Sequence, residues 1–181
     1  MIDGKNWLDK IKQLIKDLRA RSTGTGTDPV ARTDGLHGLK GKVWVTRKNI
    51  FVDRIACGWL IRRFVEKNAV FKFVDSDGYT PVPDEVRFDM FDGEYTHEGD
   101  LCTFEVMIQR LGLQDRPLIA LAEVIHEIDL KDTKYDRSET DGLKALLSGM
   151  TASVSNDNER MTQGAQLMEN LYAFFQRHKG S

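Results

Sequence analysis

The chain has 181 residues, of which 40% are hydrophobic and 30% charged, with a formal net charge of -2. That length favours one domain plus an appendage, with a core large enough to fold without staples. The near-neutral charge gives no global reason for nucleic-acid binding, and no apolar run approaches the roughly 18 residues of a membrane span. No charged-then-apolar leader follows Met1, so the expected location is cytoplasmic. In a reducing cytosol Cys57 and Cys102 would be free thiols.

The first predicted element is a helix over residues 5–20, where Trp7, Leu8, Ile11, Leu14, Ile15 and Leu18 recur at helical spacing. Residues 1–21 carry six basic and three acidic side chains. A wide apolar stripe on a basic helix predicts docking onto its own domain or a second copy, giving a homo-oligomer. An anionic membrane surface is the alternative. Ser22 to Thr27 reads as a flexible linker, extended to Gly41 by Gly35 and Gly38. The expected division is therefore an appendage of residues 1–41 and a globular domain of residues 42–181.

Val43 to Thr46 is a strand candidate, Asp53 a candidate N-cap for a helix to about Val65, and Phe71 to Val74 a second strand. Strand, helix and strand in so short a span predict a parallel βαβ unit. Asp75 to Gly78 reads as a turn, and Arg87 to Phe91 as a third strand. The rest is helical: about Leu101–Leu111 with Gly112 as its stop, Pro117 to about Asp129, a helix capped by Ser138 and Asp141 and ending near Gly149, and Asp157–Arg177. In the last helix Met161, Ala165, Met168, Leu171, Tyr172 and Phe175 should face inward. The expected class is α/β, in the mixed α+β sense: a small βαβ-containing sheet with a predominantly helical C-terminal half.

Two groups of residues carry possible chemistry. On the first globular helix, Arg54, Cys57, Gly58, Ile61 and Arg62 share a face. Two guanidiniums on either side of a glycine could hold a tetrahedral oxyanion, because arginine presents a planar fork of donors. Arg47 and Arg63 flank this face in sequence and join the candidate anion site. The plainer alternative is that Gly58 permits close packing while the arginines are solvated or salt-bridged. The second group is His97, Glu105, His126 and Asp129, with Glu123 or Asp132 in support. Two imidazoles with carboxylates suit a divalent zinc, manganese or iron ion. Glu123, His126 and Asp129, spaced three apart, would line one edge of a helix. His37 and His178 are read as incidental. Gly-rich phosphate loops, Cys-x-x-Cys pairs and Gly-x-Ser-x-Gly elbows do not occur in the sequence.

Val43-Trp44-Val45-Thr46-Arg47, then Val52-Asp53-Arg54-Ile55-Ala56-Cys57-Gly58-Trp59-Leu60-Ile61-Arg62-Arg63-Phe64, resembles the opening of the chromate resistance (ChrB-like) domain. Tyr95-Thr96-His97-Glu98-Gly99-Asp100-Leu101-Cys102-Thr103-Phe104-Glu105 and Ile125-His126-Glu127-Ile128-Asp129-Leu130-Lys131-Asp132 extend the similarity, which covers roughly residues 42–177. The resemblance implies a role in bacterial chromate resistance, commonly as a chromate-responsive regulator of an efflux system; some members are labelled exported. Two departures stand out. A short helix and linker replace the larger N-terminal region of the full-length regulators, which counts against direct DNA binding. Gly58 also stands where the family pattern has proline. The leading expectation is a sensor or accessory domain for a chromate- or sulfate-like oxyanion, a metal ion, or both. The alternatives are a metal-dependent hydrolase or reductase and an interaction module. Cys57 and Cys102 are candidate redox thiols, because chromate could oxidise them.

Overall fold

The structure is a computed structural model that describes residues 38–75 and 77–178. The N-terminal helix and most of the linker read from the sequence lie outside those residues. Three parallel strands, β1 (Val43–Arg47), β2 (Val70–Val74) and β3 (Glu85–Arg87), form a sheet in the order β2-β1-β3. Val43 pairs with Val70 on one side of β1 and with Glu85 on the other. The five helices among the described residues are α1 (Val52–Leu60), α2 (Thr103–Arg110), α3 (Arg116–Leu130), α4 (Thr140–Ser153) and α5 (Asp157–Arg177). The fold is mixed α/β, and β1, α1 and β2 form the expected parallel βαβ unit.

Burial of α1 organises the molecule. Eight of its nine residues are buried, all but Arg54, and it packs against α2, α3 and α5. A helix apolar almost all round is stable only when enclosed. One wider π turn, Ile61–Val65, continues it toward β2. Trp59 sits against Phe64, Phe104 and Tyr172 at ring separations of 6.0, 6.3 and 5.4 Å, which joins α1, α2 and α5 in one aromatic cluster.

Four local readings are corrected. Phe51, not Asp53, is the N-cap of α1; the Asp53 carboxylate serves another helix. The third strand ends at Arg87, because Asp89 adopts the left-handed φ of 45° that breaks a strand. No side chain caps α4, whose N-cap is Glu139, so Ser138 and Asp141 do not form the expected box. That helix also runs through Gly149 to Ser153, because Leu143, Leu147, Met150 and then Val154 keep an apolar stripe on the core. The last helix spans the expected residues, with Met161, Met168, Tyr172 and Phe175 buried and Ala165 and Leu171 partly buried against the core. No helix of the described residues is long and apolar enough to cross a membrane.

Close helix contact explains two glycines. A Cβ on Gly58 would overlap the Met161 side chain of α5, and one on Gly164 would overlap Ile55 of α1. Gly142 and Gly149 of α4 have nothing within 4 Å of a built Cβ. Chemical denaturation of four alanine variants should therefore split them. Gly142→Ala and Gly149→Ala should each stabilise by up to about 1 kcal/mol through helix propensity. Gly164→Ala should destabilise by roughly 1–3 kcal/mol, because the stiff branched Ile55 cannot give way. Gly58→Ala should cost less, since it meets the end of a flexible methionine. Equal effects at all four positions would contradict this packing.

Candidate functional site

The carboxyl ends of β1 and β3 open onto one cluster, the position where open parallel sheets tend to place ligands. Asp53 lies in the first turn of α1, just beyond β1, and Asp89 lies two residues beyond β3. His97 comes from the loop between β3 and α2, and Asp129 from the last turn of α3.

Asp53 is almost wholly buried. Its Oδ2 accepts the N–H of Thr103 at 2.9 Å and its Oδ1 that of Phe104 at 2.9 Å. One carboxylate thus satisfies two of the free N–H groups of α2 and sits in the positive field of two helix N-termini. The Cys57 thiol also points at it, 3.7 Å away. His97 Nε2 lies 3.3 Å from Asp53 Oδ2, 3.3 Å from Asp129 Oδ2 and 3.5 Å from Asp89 Oδ1. Asp89 is also held by Arg54, whose Nε is 2.9 Å from Oδ2, and by the Thr103 hydroxyl, 3.2 Å from Oδ1.

Crowding of like charges shows in the titration of the cluster. Burial, then Asp53 and Asp89, push the Asp129 carboxyl up to about 6. Burial and Asp53 also raise Asp89. The hydrogen bond to Asp53 raises His97 above the usual imidazole value, against the effect of its partial burial. Ligand atoms of Asp53, His97 and Asp129 lie within 4.8 Å of one another. Donors bound to one tetrahedral ion at about 2.0 Å sit about 3.3 Å apart, so the His97 distances match a shared ion.

The sequence-predicted metal residues divide into separate groups. His97 and Asp129 belong to the cluster just described. Glu105 and His126 form a buried pair beside it, with Nδ1 2.6 Å from Oε2, while Asp132 approaches Nε2 at 3.2 Å. Tyr135 donates its hydroxyl to Glu105 Oε1 at 3.3 Å, and Glu105 Oε2 accepts the N–H of Cys102 at 3.0 Å. Glu123 faces Arg137, 3.6 Å away. Three-residue steps slip by about 60° per step on a helix of 3.6 residues per turn. Glu123, His126 and Asp129 therefore face three neighbours rather than one.

The shared arginine face is corrected as well. Cys57, Gly58 and Ile61 are buried, and Met161 fills the gap at Gly58. Arg54 is paired with Asp89, Arg62 stacks over Phe71 at 4.9 Å, and Arg63 pairs with Glu169 at 2.6 Å while covering Tyr172. Arg47 differs: its Nε is buried with no hydrogen-bond partner among the described residues. Cys57 and Cys102 are both buried free thiols, and burial raises each far from the thiolate form; that opposes ready oxidation. Sequence reasoning missed Asp53 and Asp89 as site members. The available signal was an aspartate inside the apolar run Val52–Leu60, where a buried charge needs a partner.

Residues 44–175 match the family described as "ChrB, C-terminal domain". The chain is also 34% identical over 137 residues to Protein ChrB of Cupriavidus metallidurans, an alignment that covers 75% of this chain and 41% of that protein. The chain belongs to the ChrB-like chromate resistance family, as a member of its C-terminal domain class. It spans less than half the length of that relative. No solved structure matches it.

The cluster fixes the sign of a pH effect. Asp129 binds its proton more tightly folded than unfolded, so its contribution to stability is greatest below the ordinary carboxyl value of 3.8 and is lost as pH rises to about 6. His97 and His126 are both raised above 6.5, so their contribution is complete below 6.5 and lost as pH passes their higher folded values. Set against Asp129→Asn, metal-free wild type should therefore lose thermal stability as pH rises from about 4 to about 6, on top of the opposite trend from acids held below their usual range, such as Glu94 and Glu127. Asp129→Asn should flatten the acidic part of that decline. A pH dependence that is the same in wild type and Asp129→Asn would contradict the cluster.

Proposed function

We propose that this chain is the metal-responsive module of a ChrB-like chromate resistance protein. In this reading a divalent cation is held by His97, Asp129 and Asp53, with Asp89 as a further ligand. One observation carries the reading: an imidazole nitrogen lies within 3.5 Å of three carboxylates that come from three separate parts of the chain. Three carboxylates pressed together repel one another, and a cation relieves that repulsion. Imidazole with carboxylates suits zinc, manganese or ferrous iron. Such an ion would tie α1, α3 and the loop before α2 together, converting its presence into local rigidity that a partner domain can read. Family membership supports a sensor or accessory role over the metal-dependent enzyme.

Calorimetry with Mn2+ and Zn2+ on chelator-treated full chain should give one site. His97→Ala and Asp129→Asn should each weaken it by more than about tenfold, while the exposed control Lys144→Ala should leave it intact. Binding should tighten from pH 5 to pH 8, as Asp129 and His97 give up their protons. Absence of stoichiometric binding, or binding indifferent to both substitutions, would end this reading.

A specific observation favours a second, anionic contact. The buried Nε of Arg47, at the carboxyl end of β1, lacks an acceptor among the described residues, and a buried donor without one is costly. A sulfate- or chromate-like oxyanion could supply the acceptor. Sulfate should then raise the melting temperature of the native chain more than that of Arg47→Ala. Equal shifts would remove the anion from the account.

A further inference from the structure

We infer that Arg54 is a specificity-determining residue that sets the cluster to accept divalent rather than trivalent cations. The inference rests on the metal reading of Asp53, His97 and Asp129 and adds the charge of the ion.

Arg54 is the guanidinium in direct contact with the carboxylates. Its Nε lies 2.9 Å from Asp89 Oδ2, and both side chains are largely buried, at 16% and 13% exposure. The same Nε reaches the Asp89 carbonyl at 3.4 Å. The pair is therefore shielded from water, where an exposed pair would be screened. Three carboxylates, the contacting Arg54 and a neutral ligating histidine leave two net negative charges, which Arg47, a second guanidinium acting on Asp89 without touching it, reduces further. The N–H groups of Thr103 and Phe104 on Asp53 add the fractional positive charge of a helix N-terminus. A doubly charged ion brings that total close to neutrality. A triply charged ion would leave excess positive charge beside a guanidinium that Asp89 prevents from moving away.

The stem of Arg54 leaves α1 one residue after Asp53, so the cation and the ligand share one helical turn. Asp89 is in contact with both Arg54 and His97. The guanidinium therefore acts on the ion through a carboxylate that also faces it. Arg54 is a positioning and charge-setting residue; it makes no bond to the metal.

The test uses the full chain with Mn2+ and Tb3+ as probes, Mn2+ followed by electron paramagnetic resonance and Tb3+ by sensitised luminescence, and reads the ratio of the two affinities. Arg54→Gln should shift the ratio toward Tb3+ by about tenfold or more, the scale of one unit charge a few ångströms away at intermediate dielectric. Arg54→Lys should hold the wild-type ratio within about threefold, because the charge is kept. Asp89→Asn should move the ratio the opposite way, toward Mn2+, so the inference stays testable if Arg54→Gln folds poorly. The double variant Arg54→Gln/Asp89→Asn restores the net charge and should return the ratio toward wild type, which a merely structural ion pair would not do. An unchanged ratio in both single variants overturns the role of Arg54 while leaving the metal site standing. If wild type binds Mn2+ no better than the His97→Ala variant, the metal reading itself fails, and Arg54 has no selectivity to set.

Discussion

A single buried carboxylate joins the beginnings of two helices. Asp53 stands in the first turn of α1 and accepts the first amides of α2 from fifty residues further along the chain. Each of those amides, left without a partner in the interior, would cost about 1–3 kcal/mol. The position of α2, the entry of its loop and the place of His97 all follow from that contact. Because α1 is enclosed by α2, α3 and α5, Asp53 cannot move without disturbing the core. The cluster at the sheet's carboxyl end is therefore held by the interior of the protein, although His97 itself is partly exposed.

That contact also explains what the sequence revealed and what it hid. Strand–helix–strand patterning around Trp44, Trp59 and Phe71 was legible because apolar periodicity is local. The inward stripe of α5 was legible for the same reason. Asp53 was misread because an aspartate near the start of an apolar run signals a local cap, and nothing within a few residues reveals a distant helix as its partner. Gly149 signals a helix end by its low propensity, but the burial of Leu147, Met150 and Val154 carries the helix past it. His97 and Asp129 were recognised as chemically suited to one another. His126 and Glu123 group with Asp129 in sequence because three-residue spacing resembles one face, whereas the helix turns past it; Glu105 is an inward-facing acid whose partner is His126 itself.

The two histidines show how burial divides similar residues between different tasks. His126 is almost inaccessible, and both of its nitrogens meet carboxylates, so it is saturated by its own fold. His97 is partly open and shares one nitrogen among three acids. The first arrangement spends its hydrogen-bonding capacity on internal structure. The second leaves the ring partly open to solvent. Sequence alone gives both the same letter and similar acidic neighbours.

Glu127, buried on α3, holds the segment that leads into α4. It accepts the N–H of Tyr135 at 2.7 Å, the N–H of Arg137 at 3.2 Å and the Thr140 hydroxyl at 2.6 Å. Two of these three donors are main-chain amides, which every residue except proline provides. Through those two the tether reads the path of the chain rather than its side chains; only at Thr140 does it depend on a side chain. At Tyr135 and Arg137 this tether would survive any exchange but proline, and their own side chains serve separate contacts, those with Glu105 and Glu123 among them.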